Sequence, residues 1–252
     1  MDMWKHGNTA TVSHESTAVD QGLRSYMLNV YNYMASALAV TGALALLTVQ
    51  SDALMSLFYQ LQPLADGSVR LVGMKPLGYV IAFAPLGVVL WLGFKMQSMS
   101  FKTAQIAFWG FAALMGLSMS NIFLMYTGTS VARVFFISAA VFGAMSLYGY
   151  TTKRDLSGMG SFLMMGVIGI IIASVVNMFL QSSLMHFITS AIGVLLFVGL
   201  TAYDTQRIKN TYYSLQGNPE FMGKAAIMGA LSLYLDFINL FIMLLQFFGD
   251  RR

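Results

Sequence analysis

An all-α membrane protein of seven transmembrane helices is the fold this sequence predicts, and three observations predict it. Hydrophobic residues fill 57% of the 252 positions and charged residues only 10%, against roughly a quarter charged in ordinary soluble domains. The apolar residues gather into seven runs, each close to the ~20 residues that carry a helix across a bilayer. None of the runs alternates apolar with polar over about ten residues, so helices are favoured over an outer-membrane barrel.

The first run, 26–49, follows a polar stretch of mixed charge, 1–25. That stretch lacks the basic start, short apolar core and small-residue cleavage site of a removable signal. It reads as a polar cytoplasmic tail, with the first span acting as its own insertion signal. Next comes the one long connection, "SDALMSLFYQLQPLADGSVRLVGMK" at 51–75. Its Asp-Gly and Pro mark turns, and its apolar pieces predict a loop lying on the membrane surface. Runs at 77–94, 103–125, 131–150, 162–180, 184–203 and 225–248 complete the set. Their short connections predict that sequential spans are antiparallel neighbours, so 26–250 form one seven-helix transmembrane domain. Small residues three or four apart, Ala139 with Gly143 and Gly166 with Gly169, mark where helix backbones are expected to approach closely. The 20 methionines read as adaptable packing filler.

Lys and Arg are divided unevenly across the seven spans. One side holds Lys5, Arg24, Lys95, Lys102, Lys153, Arg154, Arg207, Lys209 and Lys224; the other holds Arg70, Lys75, Arg133, Arg251 and Arg252. Basic residues favour the cytoplasmic side, so the amino terminus is expected in the cytoplasm and the carboxyl terminus outside. The bases sit at span ends rather than on a soluble surface, which argues against nucleic acid as a partner and for the lipid bilayer. A compact chain with a short tail and no N-glycosylation sequon fits a bacterial plasma (inner) membrane. The absence of cysteine excludes disulfides, thiolate metal sites and Cys nucleophiles. Of the histidines, His6 and His14 fall in the tail and His186 at the outer end of a span, where an interfacial role is expected.

Eight of the ten acidic residues lie in tails, loops or at span ends. Asp236 instead lies near the middle of the last run. A charge there costs roughly 2.5–3.5 kcal/mol on insertion scales and needs a partner. Asp204 is the candidate. The sixth and seventh spans form a hairpin turning at "QGNPE", 216–220, and 204 and 236 are equidistant from residue 220. If the sixth helix runs on to about Tyr213, the two acids therefore face each other within about a turn of helix. Two carboxylates so placed in low dielectric share a proton and titrate as a pair. The shared proton bonds the helices; its loss turns attraction into repulsion. Arg207, on the same helical face as Asp204, can offset part of the charge, and Tyr203, Tyr234 and Asn239 supply further polar groups. The plainer alternatives are that Asp204 is a solvated end-of-span residue paired with Arg207, and that a neighbouring Ser or Asn satisfies Asp236.

The stretches "GLTAYDTQRIK" at 199–209 and "ALSLYLDFINLF" at 230–241 resemble the sixth- and seventh-span motifs of the Bax inhibitor-1 family, also called the transmembrane Bax-inhibitor-motif family. "GLSMSNIFLMY" from Gly116 and "FGAMSLYGYTTKRDLSGMGSFL" from Phe142 resemble the family as well, so the likeness covers about residues 26–250. It implies a C-terminal helix that is central and wrapped by the other six. It also implies a pH-sensitive calcium leak whose sensor and gate are an aspartate pair, corresponding by motif to Asp204 and Asp236. Some members pair the acids with a base in the second span; none occurs at 77–94, so what holds the closed pair is open unless Arg207 substitutes.

Calcium, as permeant ion and weak transient ligand of Asp204 and Asp236, suits hard carboxylate oxygens, and a weak site suits passage. No resident cofactor is expected. Two other functions compete. A non-conducting regulator would bind other membrane proteins, such as a membrane protease or cell-death factors. An intramembrane aspartyl protease would also need two Asp on adjacent spans. The bulky "LYLDF" and the lack of a Pro-Ala-Leu element speak against the protease, and no nucleotide, metalloprotease or serine-hydrolase motif is present, so no enzyme is expected.

Overall fold

The computed structural model describes residues 7–63, 69–215 and 218–251. In chain order the elements are α1 (Gly7–Gln50), α2 (Asp52–Phe58), β1 (Tyr59–Pro63), β2 (Val69–Met74), α3 (Pro76–Lys95), α4 (Phe101–Met125), α5 (Gly128–Thr151), α6 (Ser157–Leu180), α7 (Ser183–Ser214) and α8 (Pro219–Phe248). All the helices but α2 are long and apolar enough to cross a membrane. Side-chain caps fix where four of these helices begin. Ser100, Thr127, Ser182 and Asn218 each accept a hydrogen bond from the backbone N–H three residues on, relieving one of the orphan donors of a first turn. Gln181, in the left-handed conformation at φ 50°, ends α6.

Two helices outrun their apolar segments, and they do so together. α1 begins at Gly7 rather than near residue 26, so the polar segment is largely helical. α7 continues past Tyr203 to Ser214. Leu23, Tyr26, Met27 and Val30 recur at helical spacing and are buried, the pattern of a packed stripe. The Tyr26 ring lies 5.6 Å from that of Tyr212, and a side chain at Gly22 would overlap Tyr212. The end of the α7 extension thus packs on the start of the first span. Lys5 and His6, the Asp66–Gly67 turn, Gln216, Gly217 and Arg252 lie outside the described residues.

The long connection is more ordered than a surface loop. α2 leads into an antiparallel pair in which Tyr59 stands opposite Met74 and Leu61 opposite Leu71. Met55, Phe58 and Tyr59 form a small buried cluster, and the Tyr59 hydroxyl meets Ser120 Oγ on α4 at 2.9 Å. The missed signal was the alternation of "YQLQP" and "VRLVGM" about an Asp-Gly, a hairpin pattern.

α8 is the core of the bundle. Its most apolar stretch is 67% buried, against at most 33% in the other spans and 6% in α6. The last helix is therefore central, as expected, but its immediate wall is made mainly by α1, α4, α5 and α7, while α3 packs on α4 and α6 on α7. Backbones approach closely at Gly116, against the Thr41 carbonyl of α1, and at Gly149, against the Ala202 carbonyl of α7, and of the expected small residues Gly166 packs tightly on Leu196 of α7. Neither Gly143 nor Gly169 would bring an added Cβ within 4 Å of anything, because spacing alone does not say which face of a helix meets a neighbour. At the far end of α8 the chain is strapped to the α4–α5 turn. Thr127 N–H donates to Asp250 O at 3.1 Å, and Arg133 pairs with Asp250 at 3.0 Å. Arg251 reaches to 3.4 Å from His186 Nε2, so His186 does sit at a span end, against the C-terminal strap.

Candidate functional site at the α7–α8 pair

α7 and α8 form the most extensive helix pair of the bundle, and their register sets the site. Gly229 packs on Ile208, and Ser190 Oγ donates to Gln246 Oε1 at 2.9 Å. Counting along both helices from either contact, the residue across from Asp204 is Ser232 or Leu233. Asp236 thus lies three or four residues further from the hairpin tip, about one turn or roughly 5 Å at about 1.5 Å per residue. The equal-depth argument placed the pivot at residue 220; these contacts pivot near 218.

Both carboxyls are inside the protein, with Asp204 7% and Asp236 5% exposed. Asp204 Oδ1 accepts a salt bridge from Arg207 Nη2 at 3.2 Å. The same guanidinium donates to Ser232 Oγ at 3.0 Å and lies 5.7 Å over the Tyr203 ring, so Arg207 ties α7 to α8 from the edge of the site. Its side chain is half exposed and borders a polar cleft of about 330 Å³ lined by Tyr203, Gln206, Asn210 and Thr211. Asp236 is different. Its Oδ2 is buried with no hydrogen-bond partner among the described residues, although it lies within electrostatic reach of Asp204 and Arg207. Neither neighbour that could have satisfied it does so: Ser232 engages Arg207, and Asn239 donates to Leu235 O on its own helix at 2.8 Å.

The remaining named residues divide. Tyr203 and Arg207 belong to the Asp204 cluster. Tyr234 does not; its hydroxyl meets Thr41 Oγ1 at 2.7 Å, and its ring packs on Phe111, which pins α8 to α1 and α4. Asn239 likewise serves its own helix. Three groups at the site had escaped the sequence reading. Gln206, inside the "DTQRIK" motif, accepts from Leu156 N–H and donates to Arg154 O, both at 2.8 Å, clamping the α5–α6 turn onto α7. Ser232 receives Arg207. Thr205 bonds Ser146 Oγ on α5 at 3.0 Å, and Ser146 in turn bonds the Tyr31 hydroxyl of α1. Only Ser232 carried the available signal, a polar residue inside an apolar run; Thr205 and Gln206 lie past the end of theirs. At the α5–α6 turn itself, the Ser157 hydroxyl and backbone N–H hold the Asp155 carboxyl below the usual carboxylate range.

A family model described as inhibitor of apoptosis-promoting Bax1 matches residues 23–252. The chain belongs to the Bax inhibitor-1 family. Three of its relatives are bacterial proteins of nearly the same length. It is 50% identical over 250 residues to the uncharacterized protein RP147 of Rickettsia prowazekii, spanning 99% of this chain and all of that one. It is 50% identical to an uncharacterized protein of Caulobacter vibrioides, spanning 93% of this chain and 92% of that one. It is 44% identical to the inner membrane protein YbhL of Escherichia coli, spanning 92% and 94% of the two chains. As a Bax inhibitor-1 family member the chain is a membrane protein, and the family match begins inside α1, two residues after the described membrane span starts at Gln21.

Proposed function

We propose that this protein is a pH-sensitive cation leak, with calcium as its permeant ion, gated by Asp204 and Asp236. The observation that carries the reading is the partnerless Oδ2 of Asp236, buried on the central helix one turn from a second buried acid. A buried charge without a partner is costly and marks a functional position in a membrane span. Arg207 offsets one negative charge at the pair. A second negative charge has no cation of its own, so the closed pair is balanced by one proton. Removing that proton as pH rises leaves two like charges on packed helices, and the α7–α8 pair loosens. High pH therefore opens the leak and low pH closes it. Calcium takes flexible sets of oxygen ligands, and two carboxylates alone hold it weakly enough to pass it on. The polar cleft beside Arg207 supports an entrance at that end.

The same proposal places the protein in a bacterial inner membrane, in keeping with the printed name of the Escherichia coli relative. The amino terminus would be cytoplasmic and the carboxyl terminus outside, as the distribution of Lys and Arg requires. A cysteine at Thr152 should escape an impermeant reagent added to intact cells; labelling there reverses the topology.

Calcium flux into liposomes holding the full chain tests the gate, stepped from about pH 5 to about pH 9, a range that spans the titration of shifted carboxylates. The wild type should conduct more as pH rises. Asp204→Asn and Asp236→Asn should each flatten the response, and the double variant should add little because paired groups are not additive. Independent, additive shifts would remove the pair as gate. Silence at every pH, with a membrane protein co-purifying, would replace the leak by a regulator.

A further inference from the structure

α1 and α5 border the central pair, yet they leave an open seam between them. Near Arg24 the seam holds a cavity of about 560 Å³, within the size of sites that take a small ligand, about 300–1,000 Å³. A second, mostly apolar cavity of about 740 Å³ continues between the same two helices and is floored by Phe237 and Phe241 of α8. Glycines keep the seam open: nothing lies within 4 Å of a Cβ built on Gly143 or on Gly42. Small residues at a helix surface usually let a neighbour approach; here no helix has come.

The Arg24 end has the chemistry of a lipid site. Its walls are aliphatic and aromatic, including Leu28 and Tyr150. At its mouth stands Arg24, exposed. A second base, Lys209, holds the Tyr150 wall, its ammonium 5.2 Å over the Tyr150 ring and bonded to Tyr150 O. Two turns from Arg24, a hydrogen bond between the Tyr31 hydroxyl and the buried Ser146 Oγ joins the two helices, while Gly143 faces outward. A basic rim over an apolar slot is complementary to an anionic head group with a hydrocarbon tail.

We infer that the α1–α5 seam binds an anionic phospholipid, with its phosphate at Arg24 and one acyl chain in the slot beside Gly143. The site is separate from the carboxylate pair, and its test does not depend on ion flux. The full chain, purified in detergent, is offered phosphatidylglycerol and phosphatidylcholine of identical chains, and retained lipid is counted by native mass spectrometry. Phosphatidylglycerol should be kept in preference. Arg24→Gln should lower that preference about fivefold, the share of one basic residue at a membrane surface. Gly143→Leu should fill the slot and abolish retention of both lipids, with the thermal unfolding midpoint unchanged because its side chain meets open space. Equal retention of the two lipids with no effect of Arg24→Gln overturns the inference. So does full retention in Gly143→Leu, or a dimer of the chain that Gly143→Leu disperses.

Discussion

α6 and α8 are spans of similar length, and the more hydrophobic of the two is the one on the outside. In a soluble protein the apolar helix goes to the centre. Here the bilayer is as apolar as the core, so burial in protein is decided by what a helix must keep from lipid. α6 carries Ile, Val, Met and Phe on nearly every face, and Ile168, Ile171, Ile172 and Phe179 are exposed. α8 carries Asp236, Asn239 and Ser232 among its apolar residues and is wrapped. The difference teaches that polar groups, not hydrophobicity, sort the helices of this bundle.

The sharpest way to break that comparison is to make α8 resemble α6. Asp236→Leu removes the partnerless oxygen and, on the proposed gate, the charge and the proton site with it. Two unit charges about 6 Å apart at an effective dielectric of about 20 repel by about 3 kcal/mol, roughly a hundredfold in an open–closed ratio. The variant should lose its pH-dependent calcium flux by about that factor. Its thermal midpoint in detergent should stay level or rise, since replacing a buried charge by an apolar residue is often neutral or stabilising. A large fall in that midpoint would make Asp236 a structural residue instead.

The converse substitution puts an acid on the outer helix. Ile168→Asp, near the middle of α6 and exposed to lipid, should cost about 2.5–3.5 kcal/mol of insertion, with no Arg207 nearby to offset it. The measurement is the fraction of full-length chain recovered in the membrane. Recovery equal to wild type would mean that α6 finds a protein or water surface there.

Much of this fold was legible because apolar length is a strong signal. All seven spans lie where the runs put them, and the deviations have one cause. The apolar count stops where the bilayer stops, but α1 and α7 go on beyond it, held by Tyr26 against Tyr212. No run of hydrophobicity reports a contact between the start of one span and the polar end of another helix. At the site, Asp236 announced itself by its depth, and the motif "GLTAYDTQRIK" pointed to Asp204. Gly143 was misread because a 3.6-residue repeat cannot tell a packed face from an empty one. Gln206 was passed over because its partners, Arg154 O and Leu156 N–H, are backbone groups that no side-chain pattern encodes.

Gln206 gives the next test, since α6 has few inward contacts and its start is held by this clamp. Gln206→Ala leaves Leu156 N–H and Arg154 O without their partner, which costs about 1–3 kcal/mol for a buried backbone group. The thermal midpoint should fall by about 2–4 °C per kcal/mol lost, and the Leu156 amide should exchange faster with solvent. Substitution of a lipid-facing residue of α6, such as Phe162→Leu, should do neither. Unchanged exchange at Leu156 in Gln206→Ala would show that the turn is held by α6 packing instead.

The smallest effect belongs to Asp155, between the two clamped residues and fully exposed. Its carboxyl is held below the usual range by the Ser157 hydroxyl and backbone N–H, with Ser157 N–H donating to Oδ1 at 2.9 Å. A group whose folded pKa is depressed adds stability above its unfolded value, about 3.9 for Asp, and loses it as pH falls through the folded value. Asp155→Asn keeps an acceptor oxygen but discards the charge that favours a helix amino terminus. At about neutral pH the variant should therefore unfold slightly earlier than wild type, and added salt should narrow the gap, because an exposed charge is screened. Near pH 3, where more of the wild-type carboxyl is protonated, the two curves should converge. A gap of equal size at both pH values would assign the effect to the hydrogen bond rather than the charge. No gap at either would mean that Gln206, not the charge at the helix start, sets where α6 begins.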